Sequence, residues 1–131
     1  MIRTAVFLFA LLVTTTQAYA TGGVYCDGTN DKSVGALLTV GRVPGFAVVR
    51  ARFTAKDQDW DTLGEDGATP IVMVQRAMVG DLIVADFADP NVENIVVSLR
   101  VVRVENDVDV AAAGVISIPG VGVWPVACEI E

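Results

Sequence analysis

Apolar and polar residues alternate with a period of two along much of the chain beyond residue 20, the spacing of half-buried strands. From Phe46 to Thr54, Val49, Ala51 and Phe53 fall on one face and Val48, Arg50, Arg52 and Thr54 on the other. Leu82–Phe87 is a short apolar run, and Val108–Ile118 sets Val108, Val110, Ala112, Ile116 and Ile118 on one side. Within Ile95–Glu105, Ile95, Val97, Leu99 and Val101 share one parity. Val102 and Val104 then turn apolar while Arg103 and Glu105 turn polar. Such a switch predicts a β-bulge, because one extra residue reverses the faces. A helix there is disfavoured by six valines or isoleucines in eleven residues, since branched side chains lose χ1 freedom against the preceding turn.

Turn chemistry separates the runs. Pro44-Gly45 and Pro119-Gly120 are strong turn dipeptides, Gly80-Asp81 is a weaker one, and Asp89-Pro90-Asn91 marks a loop. The expected strands lie near 24–27, 35–41, 46–55, 71–78, 82–87, 95–105, 109–118 and 121–129. About eight antiparallel strands in one unit predict an all-β fold, a β-sandwich or small barrel. Pro125 lacks an amide donor, so the last strand is expected at an edge or bulged there.

Composition reinforces the sheet. Valine makes up about a fifth of residues 21–131, and its stiff side chain suits a pleated surface. Residues 1–20 read as a signal peptide: Arg3 is the positive start, Ala5–Val13 the apolar run and Ala18-Tyr19-Ala20 the cleavage signature. The mature chain, 21–131, is long enough for one core and too short for two. Its short export signal suits a bacterial periplasmic or secreted protein. In that oxidising setting Cys26 and Cys128, the only cysteines, are expected to form a structural disulfide joining the first strand to the last. No later apolar run is long enough to span a bilayer as a helix.

Charge and residue types then narrow the chemistry. The chain carries a net charge of −7; without Arg3, eight basic residues face sixteen acidic ones, a net of −8. Nucleic acid is a poor partner for such a surface, because phosphate binding requires clustered Lys and Arg. The chain has no histidine, which removes Ser-His-Asp and Cys-His catalysis and most zinc sites. A hydrolase built on two carboxylates would remain, but no spacing nominates the pair. The chain is therefore expected not to be an enzyme.

The densest constellation is Asp57-Gln58-Asp59-Trp60-Asp61, followed by Glu65 and Asp66. Alternating Asp57, Asp59 and Asp61 put three carboxylates on one side of an extended loop, where oxygen ligands could hold Ca²⁺. Asp89, in a second acidic loop from Asp86 to Glu93, could join them if the strands form a meander. The EF-hand pattern fails, since Thr62 and Ala68 stand where glycine and glutamate are required. A solvated acidic loop with aspartates as turn formers is the competing account. Trp60 is either an exposed binding aromatic or an anchor tucked into the core. Trp124 shares parity with Val126 and Cys128 and is expected in the core. Arg50, Arg52 and Arg100 would form a basic stripe if their strands were neighbours, and otherwise pair with acids across strands.

Tyr25-Cys26-Asp27-Gly28 and Val126-Ala127-Cys128-Glu129 resemble the two ends of the periplasmic C-type lysozyme inhibitors, small disulfide-tied β-barrels. The resemblance implies a protein that plugs a basic enzyme. It covers those two segments, and the family's Ser-Gly loop ending in an aromatic has no counterpart in this chain. The expected function is an exported, non-enzymatic binding module for a protein or envelope component, with the acidic loops as its contact surface. The alternatives are a calcium-stabilised structural domain of the envelope and a lysozyme-inhibitor-like protein.

Overall fold

The two-residue alternation builds a sheet that curls back on itself. The computed structural model describes residues 22–42 and 45–131, so residues 1–20, expected to be a signal peptide, lie outside them. The strands are β1 (Gly22–Gly28), β2 (Gly35–Val40), β3 (Val48–Ala55), β4 (Gln58–Asp61), β5 (Thr69–Pro70), β6 (Val72–Val79), β7 (Leu82–Ala88), β8 (Ile95–Glu105), β9 (Val110–Ile118) and β10 (Gly122–Ile130). They form one sheet in the order β5-β4-β3-β2-β1-β10-β9-β8-β7-β6. Among the described residues only the β4–β5 pair is parallel. Because β5 passes through Ile71 directly into β6, both ends of that order belong to one length of chain, and the sheet is a nearly closed barrel. The all-β expectation holds. All eight expected strands are present, and β4 and β5 are additions within a stretch expected to be loop.

One residue of each alternating pair points inward. Val24, Leu38, Phe53, Ile83, Phe87, Leu99, Ile116 and Val126 are all but fully buried. Each large apolar side chain so placed contributes about 1.5–3 kcal/mol relative to exposure. Phe53 and Phe87 meet edge to face, with 5.0 Å between ring centroids. They come from strands that are not neighbours, so side chains fill the interior.

Cys26 and Cys128 are bonded and directly opposite in the β1–β10 ladder, with Cα atoms 4.1 Å apart. The disulfide thus ties the first strand to the last. β10 is nevertheless an inner strand of the sheet, against the expectation drawn from Pro125. The Pro125 carbonyl accepts from the Thr29 amide, one residue beyond the end of β1. The proline nitrogen points the same way, so its missing donor falls where the β1 ladder has already ended.

The bulge expected at Val101–Val102 is absent: β8 and β9 keep one register from Ser98–Ser117 to Glu105–Val110. Bulges occur instead at Val49 in β3, Val74 in β6 and Val96 in β8, where each ladder skips a residue. Val48 therefore packs on the core while Val49 is exposed. Val108 lies in the turn after β8 and is exposed rather than part of a strand face.

Antiparallel alternation sends the 29–34, 56–57, 89–94 and 119–121 connections to one end of the barrel, here called upper. The 80–81 and 106–109 connections, with residues 41, 42 and 45–47 between β2 and β3, lie at the lower end; Pro44 of the expected Pro44-Gly45 turn lies outside the described residues. Among the described residues no helix is long and apolar enough to cross a membrane.

Candidate interaction surface

The acidic constellation is the second strand of a hairpin. Lys56 and Asp57 take left-handed backbone angles, φ 47° and 63°, which is how a two-residue turn joins antiparallel strands. Beyond it, Gln58–Asp61 pair with Arg52–Ala55. Alternation then sends Trp60 inward, opposite Phe53, and sets Asp59 and Asp61 outward beside the arginines of β3.

Those carboxylates are already committed. Arg50 donates from Nη2 to Asp61 Oδ2 at 2.6 Å and lies 3.0 Å from Glu65 Oε2. Arg52 reaches Asp59 at 3.3 Å, Asp66 at 3.5 Å and Asp61 at 3.8 Å. The Asp61 side chain is 0% exposed, and its Oδ1 accepts the Leu63 amide at 2.9 Å. Burial alone would raise its pKa. The Arg50 hydrogen bond, the Leu63 amide and the charges of both arginines together hold it below the usual aspartate range. Two guanidinium groups bridging four carboxylates make a structural ion-pair network, not a set of free ligands.

The calcium arrangement of Asp57, Asp59, Asp61 and Asp89 does not form. Asp57 occupies the hairpin turn, and Asp59 and Asp61 face the arginines. Asp89 shares the upper end with that turn but accepts from the Glu93 amide and the Asn94 side chain, capping its own loop. No group of three or more potential metal-ligating side chains exists among the described residues. Trp60, 6% exposed, belongs to the core and cannot act as a binding platform. Trp124 is in the core as expected. The basic stripe fails because β3 and β8 are not neighbours. Arg100 instead clasps Asp86 with both terminal nitrogens, at 2.7 and 3.1 Å.

What the sequence reading missed is on the outside of the barrel. In-register partners point to the same face, and Val79, Leu82, Val102 and Ala113 form one row across β6, β7, β8 and β9. Val104 and Ala111 lie below it, with Val115 beside Arg100 above. Val79 is 68% exposed, Val104 56% and Val102 49%. Scattered exposed valines are ordinary, but adjacent ones over four strands form an apolar wall of the kind that marks contact sites. The signal lay in Val102 and Val104: the change of apolar parity reflects a strand apolar on both faces, not an inserted residue. No protein-family model matches the chain, and no match was found among curated proteins or solved structures.

Proposed function

We propose that the protein is an exported, non-enzymatic interaction module whose contact surface is the apolar outer wall of β6–β9. The wall carries this reading: in a chain of net charge −7, Val79, Leu82, Val102, Val104 and Val115 stay exposed side by side. Burying such a surface on a partner is the main favourable term in association. The disulfide and the signal-like residues 1–20 support export. The acidic hairpin is a poorer contact, because its carboxylates are held by Arg50 and Arg52.

The test is affinity capture from envelope extract by the mature chain, by a Val102→Lys/Val115→Lys variant and by an Asp57→Lys variant. Loss of the captured partner with the first variant and retention with the second is the expected result. Retention by the wall variant would overturn the proposal.

A further inference from the structure

The barrel has one incomplete seam, and its shape follows from β4 being short. At the upper end β4 lies between β3 and β5, pairing with both. Below Asp61 the chain leaves the sheet for the Thr62–Ala68 excursion, while β3 and the continuation of β5 into β6 run on toward the lower end. The gap is thus one strand wide where it begins, since a strand occupies it just above. Along it β6 pairs only with β7, and Val48–Arg50 pair only with β2. Among the described residues, both edges therefore present backbone amides and carbonyls without a strand partner. The bulged Val49 and Val74 add residues outside their ladders.

The cleft between these edges holds a space of about 630 Å³ lined by Val40, Phe46 and Met78, with a second of about 220 Å³ lined by Val48 and Met73. Arg76 lines both. Natural sheet edges are normally guarded by charged residues, proline, a β-bulge or a covering element, and the β6 edge has only the Val74 bulge and a single charge. Val72–Val79 has neither lysine nor proline, and Arg76 is its only charge. Arg76 is exposed and makes no ion pair among the described residues. Arg76 is the one charged residue among those lining the two spaces, and no carboxylate lines either of them.

We infer that this slot binds an extended segment of a partner protein, apolar with an acidic residue opposite Arg76, which adds as a strand where β4 stops. Backbone hydrogen bonds to the free edges supply affinity, and the apolar spaces and Arg76 supply selectivity. This site is separate from the outer wall and does not depend on it.

The probe is a fluorescein-labelled heptapeptide of alternating valine and threonine with one central glutamate, titrated by fluorescence polarisation into the mature, disulfide-bonded chain. Two further peptides carry lysine for glutamate or N-methylated backbone amides. The glutamate peptide should bind about fivefold or more tightly than the lysine peptide, the scale of one cross-strand charge pair. The N-methylated peptide should not bind. Arg76→Glu, an exposed change, should reverse the order of the two charged peptides, and Val102→Lys/Val115→Lys should leave it intact. Hydrogen exchange should slow at Val48–Arg50 and Val72–Val79 when the glutamate peptide is bound. Equal binding of the two charged peptides, binding of the N-methylated form, protection elsewhere or absence of binding would each overturn the assignment. So would a concentration-dependent dimer in sedimentation that Arg76→Glu abolishes, because a second copy would then be the occupant.

Discussion

Asp61 is fully buried, and its carboxylate lies 2.6 Å from the guanidinium of Arg50, a residue whose own side chain is 32% exposed. A buried anion is tolerated only when paired and hydrogen-bonded, and Asp61 also has the Leu63 amide. Removing one partner of a buried pair costs about 3–5 kcal/mol. Here the covering atoms are the arginines themselves, close to water, so the lower end of that range applies. Asp61→Asn should lower the unfolding free energy by about 3 kcal/mol. Asp86→Asn should cost about 1 kcal/mol, since Arg100 is 44% exposed and keeps its hydration. Chemical denaturation of both variants checks the ranking. Equal losses, or a larger loss at Asp86, would contradict it.

The same two aspartates set the acid response. At both, burial would raise the pKa but is outweighed, chiefly by hydrogen bonds from Arg50 at Asp61 and from Arg100 at Asp86, so each titrates below the ordinary 3.8. A group whose pKa is lower in the folded state gives stability that is present above its unfolded value. That stability is lost as pH falls through the folded value. Denaturation midpoints should therefore hold from neutrality down to about the unfolded value of 3.8 and fall below it. The Asp61→Asn/Asp86→Asn double variant should show a shallower fall. A double variant as acid-sensitive as the parent would assign the effect to other carboxylates.

Much of the barrel was legible because its strands obey the two-residue period, and Cys26 with Cys128 gave the pairing that joins first strand to last. Three features were not legible. β4 has acids at two of its four positions and one large inward residue, Trp60, so it reads as loop. Its strand character comes from Arg50 and Arg52 across the ladder, a tertiary partner no local pattern contains. The outer wall was hidden because Val102 and Val104 look the same to a parity count whether the strand is bulged or two-sided. The bulges at Val49, Val74 and Val96 sit among consecutive or near-consecutive apolar residues, where an extra residue leaves no trace in the alternation.

The disulfide encloses a sequence separation of 102 residues. In the chain-entropy account a loop of that size restricts the unfolded chain by about 4–5 kcal/mol. Cys26→Ala/Cys128→Ala should lose about 3–5 kcal/mol, and reducing the parent chain should lower its melting temperature to that of the variant. A variant as stable as the oxidised parent would mean that the β1–β10 ladder alone holds the ends together.

Gly114 shows how tightly the wall strands approach each other. It lies opposite Val101 in the β8–β9 ladder, and a Cβ placed there would overlap the Arg100 carbonyl oxygen and press on the Val101 Cα. Those are backbone atoms, which cannot rotate aside as a flexible side chain would. Gly114→Ala must therefore push β8 from β9 in the middle of a ladder that carries both the core residue Leu99 and the exposed Val102. The cost should be about 2–3 kcal/mol, that of forced overpacking. Gly120→Ala meets no atom, but it puts a side chain at φ 78°, where the penalty is about 1 kcal/mol. The two substitutions are chemically identical, so their difference isolates the close approach. Equal destabilisation in urea would show that β8 and β9 can separate at little cost, and the wall would then be a more pliable surface than this packing implies.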